Sequence, residues 1–145
     1  MLQGALQASG RQDLTLCIEI TEHSLASDLV KEAQRLQALG FLVAVDDFGT
    51  GYSNLKSVTR LSPDLLKIDA SFVYELEDAT LRSGLIPEIV HIAKAVGAET
   101  VAEGIQNVPQ MQLLLAEGVR YGQGFGLGVP MPVEEFVGVS GYLKL

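Results

Sequence analysis

The chain has 145 residues, 48% of them hydrophobic and 19% charged. That is one domain's length with enough apolar content for a packed core, which excludes a disordered chain. Ten Lys plus Arg against 18 Asp plus Glu leave a formal net charge of -8. This balance argues against a nucleic-acid polymer as partner, and an anionic substrate would need a cation to offset the acids. A single cysteine leaves no internal disulfide and no cysteine-rich zinc site. With no signal peptide and no apolar run of membrane-spanning length, a cytoplasmic protein without a membrane segment is expected.

Strand and helix signals alternate. Leu14 to Ile20 reads as a first strand, apolar on nearly every residue until its end. Leu29, Val30, Ala33, Leu36 and Leu39 follow at helical spacing, with Ser27 as N-cap and Gly40 at the C-cap. Phe41 to Val45 is a continuously apolar strand, as a parallel sheet buried on both faces requires. Leu65 to Ile68 is a third strand. Ile89, Val90, Ile92, Ala93 and Val96 mark a helix that starts near Ser83 or Gly84 and closes at Gly97. Thr100 to Ala102 is a fourth strand. Asn107 caps the next helix, with Gln110 three residues on and Gly118 at its end. Val119 to Tyr121 is a short fifth strand, and Pro132 opens a last helix. The class is α/β, with a parallel sheet. Two architectures satisfy it: an open doubly wound sheet and part of a (β/α)8 barrel.

The strand ends carry the chemistry. Glu19 closes the first strand, with Thr21 and Glu22 beyond it. Asp46 and Asp47 close the second, Lys67 and Asp69 mark the third, Glu103 follows the fourth and Gln123 the fifth. In a barrel all of these reach one mouth. Four carboxylates around one ammonium need neutralising, and hard oxygen ligands suit Mg²⁺ or Mn²⁺. A single acid after a strand is more often a helix cap or a solvated residue, and Glu22, Asp64 and Asp69 taken alone fit that plainer role. Two adjacent acids ending an apolar strand do not, so Asp46-Asp47 reads as functional. Lys67 faces either the mouth or an ion-pair partner. The glycines of Asp47 to Tyr52 make either a tight turn or a loop that approaches a ligand. Cys17 reads as a small buried residue, and Tyr121 and Phe125 as packing. His23 and His91 lack metal-ligand spacing.

Several runs together resemble one family. They are Ile18-Glu19-Ile20-Thr21-Glu22, Asp46 to Leu55, Lys67-Ile68-Asp69, Glu99 to Ile105 and Gln123-Gly124-Phe125. In that order they resemble bacterial EAL domains, cyclic di-GMP phosphodiesterases, over roughly Leu14 to Phe136. The resemblance implies a (β/α)8-type barrel that hydrolyses cyclic di-GMP to linear pGpG with Mg²⁺ or Mn²⁺, two ions in all, and is inhibited by Ca²⁺. By the same resemblance Glu19, Asp46 and Asp47 bind metal, with Asp46 bridging. Lys67 contacts the attacking water, and Glu103 acts as base or orients that water. Glu22 braces the loop from Phe48 to Ser53, including Gly49, Thr50 and Gly51, which couples to dimerisation. Gln123 lies near the water shell and Pro130 near the ligand.

The sequence also departs from the family. The Glu-Ala-Leu tripeptide and the strand with the family's asparagine ligand do not occur in it, and Val129 stands where a basic residue is usual. A full barrel needs ~200 residues or more. The expectation is therefore a partial barrel, about five parallel strands, forming the C-terminal part of a single domain with the N-terminal strands missing. It would form a homodimer or associate with the missing part. A truncated module that binds nucleotide or a protein without hydrolysis is the alternative, and an unrelated Mg²⁺ enzyme of enolase type ranks behind both.

Overall fold

In a computed structural model, residues 15–51, 55–77 and 84–131 are described. The apolar runs form the expected strands. These are β1 (Cys17–Thr21), β2 (Leu42–Phe48), β3 (Leu65–Ile68), β4 (Glu99–Ala102) and β5 (Tyr121–Gly122). They make one parallel sheet in the order β1-β2-β3-β4-β5. Strand order without a reversal decides between the two architectures. Crossovers of one hand between successive neighbours put every helix on the same face of the sheet, as in a barrel wall, whereas a doubly wound sheet reverses direction.

The helices are α1 (Ser27–Ala38), α2 (Leu55–Leu61), α3 (Ala70–Glu75), α4 (Leu85–Val96) and α5 (Val108–Ala116). A 3₁₀ turn, Glu22–Ser24, follows β1. The core lies between the sheet and these helices. Val43, Val45, Phe48, Leu66, Ile68 and Ala102 contribute from the sheet, and Val30, Ala33, Val58, Val73, Ile89 and Leu114 from the helices.

Helix ends follow their local signals, with one correction. Gly40 (φ 89°) and Gly97 (φ 80°) take the left-handed backbone that ends α1 and α4. Gly84 is the N-cap of α4, and Asn107 caps α5 by accepting from the Gln110 N–H. Ser27, expected as the cap of α1, is instead its first helical residue. Ala26 has the extended backbone of a cap residue, one position earlier, and no side chain caps this helix.

Other differences have local causes. β1 is a sheet edge. Ile18 and Ile20 face Leu29, Ala33 and Leu36 of α1 across an open groove. Period-two alternation turns Cys17, Glu19 and Thr21 to the other face, so Cys17 is exposed rather than buried. Phe125 is 74% exposed and does not pack. β5 begins two residues later than read, because pairing with β4 starts at Tyr121. The helix read from Pro132 lies outside the described residues, as do Tyr52, Ser53 and Asn54.

Candidate functional site

β2 departs from the regular pattern at the acidic pair. Ala44 and Val45 pair with Leu65 and Leu66, and pairing resumes at Phe48 with Ile68. Asp46 and Asp47 therefore stand opposite the single residue Lys67, which is a β-bulge. In a regular strand two adjacent side chains point to opposite faces. One extra residue breaks that alternation and re-aims the chain. Asp47 absorbs the change with φ 55°, the left-handed region that Asp tolerates better than most residues. The bulge thus delivers both acids to one place. The Asp47 N–H donates to Asp46 Oδ1, and the Thr50 N–H and hydroxyl both donate to Asp47 O, closing the turn beyond.

Four strands meet at Lys67. Its Nζ lies 2.9 Å from Glu19 Oε2 on β1, 2.9 Å from Asp46 Oδ1 on β2 and 2.7 Å from Glu103 Oε1 beyond β4. The β3–β4 ladder carries Glu103 there, since its N–H donates to Ile68 O at 3.0 Å. The Lys67 side chain is only 7% exposed. Burial opposes its charge, but hydrogen bonds with Glu103, Asp46 and Glu19 outweigh that cost and hold the ammonium above the ordinary lysine range. The two roles open for Lys67 in the sequence, mouth residue and ion-pair partner, are both filled. An ammonium has three N–H donors, and all three are engaged by carboxylates here.

One carboxylate oxygen from each of Asp46, Asp47 and Glu103 lies within 4.8 Å of the others. Three hard, half-buried oxygen donors, two on β2 and one just beyond β4 on the other side of β3, fit a divalent cation of the Mg²⁺ or Mn²⁺ type. Glu19, half exposed, adjoins them through Lys67.

The loop residues divide. Glu22, 4% exposed, accepts from the Gly49 N–H through Oε2 at 3.0 Å and leaves Oε1 unpartnered. It contacts the turn that the acidic pair begins. Gly49 takes φ 96°, a backbone that strains any other residue, and a Cβ there would also crowd the Ile89 and Phe72 side chains at 3.2 Å. Phe48 is buried in the core and anchors the loop instead of facing the mouth. Thr50 is exposed and Gly51 half-buried, with the His23 imidazole lying over the Gly51 backbone. Histidine spacing gave no hint of that contact.

Gln123 is exposed at the end of β5. Its N–H donates to Ala102 O at 2.8 Å, and its carbonyl accepts from Ile105 N at 3.1 Å. Pro130 is exposed farther along. Asp64 and Asp69 have structural partners. Asp69 caps α3 by accepting from Ser71, and Asp64 accepts from Val43 N and Gln37 Nε2.

Comparison with known proteins adds to this geometry. The EAL domain model matches residues 2–130. The chain is 38% identical over 121 residues to the probable cyclic di-GMP phosphodiesterase PdeA of Escherichia coli, covering 81% of this chain and 17% of that protein. It is 33% identical over 139 residues to the bifunctional diguanylate cyclase/cyclic di-GMP phosphodiesterase MucR of Pseudomonas aeruginosa, covering 94% of this chain and 20% of that protein. Among solved structures, the PaMucR phosphodiesterase in complex with cyclic di-GMP superposes with TM-score 0.81 at 33% identity, over 93% of this chain and 56% of that one. Klebsiella pneumoniae BlrP1, solved with manganese and cyclic di-GMP, gives TM-score 0.72 at 32% identity, over 86% of this chain and 32% of that one. The chain spans about a fifth or less of the length of these two curated relatives. Among the described residues no helix is long and apolar enough to cross a membrane.

Proposed function

The chain belongs to the EAL domain family, and from that premise we propose that it is the C-terminal part of a metal-dependent phosphodiesterase domain that hydrolyses cyclic di-GMP to linear pGpG. The observation that carries this reading is the convergence of Asp46, Asp47 and Glu103 beside Lys67 at consecutive strand ends. Solved relatives with cyclic di-GMP, one of them holding manganese, support the same substrate and cation.

In this reading Asp46, Asp47 and Glu103, together with Glu19, would hold the cations, Mg²⁺ or Mn²⁺ and two in number. When bound, they polarise phosphoryl oxygens and lower the pKa of water. The protein's own groups do the rest. Glu103 engages Lys67 through Oε1, which leaves Oε2 to take a proton from the attacking water. The water oxygen bonds to phosphorus as one ester P–O bond breaks, and the departing ribose oxygen takes up a proton from solvent. Lys67 stabilises negative charge beside that water once one of its N–H donors is free. Glu22 holds the turn through Gly49, so Asp47 keeps its aim. Gln123 and Pro130 border the substrate, with Phe48 to Gly51 forming the loop.

Among the described residues β1 and β5 are sheet edges, which supports a second reading, a module that binds cyclic di-GMP or pairs with a second copy or with strands that complete the barrel. One experiment separates the two. The chain is incubated with cyclic di-GMP and Mn²⁺ or Mg²⁺, pGpG is followed, and mass in solution is measured by light scattering. Turnover that falls roughly 10²- to 10⁴-fold in Glu103→Gln supports the enzyme. Binding of cyclic di-GMP by a folded chain without turnover supports the module.

A further inference from the structure

Lys67 does more in this arrangement than contact with a water would require. Its three N–H donors are spent on three carboxylates carried by β1, β2 and the end of β4. Two of those carboxylates, Asp46 and Glu103, also belong to the group that can hold a cation. One positive charge is thus shared between two tasks.

We propose that Lys67 is a placeholder cation, which holds Glu19, Asp46 and Glu103 together in the metal-free protein and lets go of at least one of them when a divalent cation binds. The proposal rests on the metal-site part of the function above and is independent of hydrolysis. Without a counter-charge the clustered acids repel one another and splay the three strand ends that carry them. With a dication among the same carboxylates, the ammonium is itself repelled. The two cations therefore oppose each other through shared ligands, and by linkage each weakens the other's hold. Glu19, the most exposed of the three partners, is the easiest to release. Its departure frees the N–H that a reacting water would need.

The test reads metal binding and stability, not turnover. Mn²⁺ is titrated calorimetrically into the wild-type chain and into Lys67→Met, Lys67→Gln and Lys67→Arg, and each is melted in EDTA and in excess Mn²⁺. Lys67→Met should melt about 5 °C or more lower in EDTA. It should also bind Mn²⁺ roughly tenfold tighter or more, since a nearby positive charge has gone. Its melting deficit should shrink in Mn²⁺, and Lys67→Arg should return both readings toward wild type. An equal deficit in both media, with affinity unchanged or weaker, describes an ordinary structural lysine and overturns the proposal. If Lys67→Met fails to fold in EDTA, recovery in Mn²⁺ supports it. If it folds in neither, Lys67→Gln decides, because it loses the charge while keeping two N–H donors. Wild-type-like affinity in Lys67→Gln then overturns the proposal, and tighter binding upholds it. Absence of Mn²⁺ binding in all four proteins overturns the metal site as well.

Discussion

The two ends of β3 both carry a charged side chain at least partly shielded from solvent, and they satisfy it in opposite ways. At the N-terminal end Asp64 accepts from the Val43 N–H at 2.8 Å and from Gln37 Nε2 at 3.1 Å. Its own N–H donates to Val43 O, and its carbonyl accepts from Glu99 N. Neutral donors thus tie β2, β3, β4 and α1 together at that end. At the C-terminal end Lys67 holds Glu19, Asp46 and Glu103 by charge-assisted hydrogen bonds. Bonds to fixed backbone groups cannot be shared with a ligand without leaving an orphan. Bonds to an ammonium can be, because another cation can replace it. One end is built to stay closed and the other to be rearranged.

Paired substitutions sharpen the contrast. Asp47→Asn removes one of three charged oxygen ligands while keeping a side chain that tolerates φ 55°. Mn²⁺ affinity should fall about 100-fold or more, since even the outer partners of metal ligands are worth 10- to 100-fold. Melting in EDTA should stay level or rise, as one repelling charge is gone. Asp64→Ala should do the reverse. It leaves the N–H of fully buried Val43 unpaired, which costs about 1–3 kcal/mol in a denaturant titration. Mn²⁺ affinity in the calorimeter should not change. If Asp47→Asn destabilises the metal-free chain, or if Asp64→Ala weakens Mn²⁺, the division between the two ends is wrong.

What the sequence makes legible follows from the length and sharpness of each signal. Val43 to Val45 is buried throughout, and an acidic pair ends it. That contrast is strong enough to single out Asp46 and Asp47 without coordinates. It also misplaces the strand end. Backbone pairing runs on to Phe48, because hydrogen bonding does not stop where the apolar run does. The bulge that lets both acids face one site has no residue signature here. α2 and α3, of seven and six residues, are too short for an apolar period, and only Val58 with Leu61 and Phe72 with Val73 are buried in them. A capping signal at Asp69, with Ser71 two residues on, was the one available clue to α3. Cys17 and Phe125 fail for a different reason. Apolar character predicts burial only where a second layer covers the face, and neither the helix-free face of the edge strand β1 nor the turn after β5 has one among the described residues.

Asp69 tests whether position at the mouth is enough to make an acid part of the site. It sits two residues beyond Lys67, at the same end of β3, yet its partners are neutral, as at Asp64. The Ser71 hydroxyl and N–H donate to its carboxylate, and these bonds hold its carboxyl below the usual range. A carboxyl with a lower pKa in the folded state contributes stability that is complete above the unfolded value, about 3.9. That contribution fades as pH falls through the folded value. Asp69→Asn keeps an oxygen to cap α3, so stability at pH 7 should stay within about 0.5 kcal/mol of wild type. Below about pH 4 the variant should lose stability less steeply, read from denaturant midpoints down the acid limb. Mn²⁺ affinity should be that of wild type. A large drop in affinity would mean that closeness to Lys67, and not the identity of the bonding partner, decides which acids serve the site.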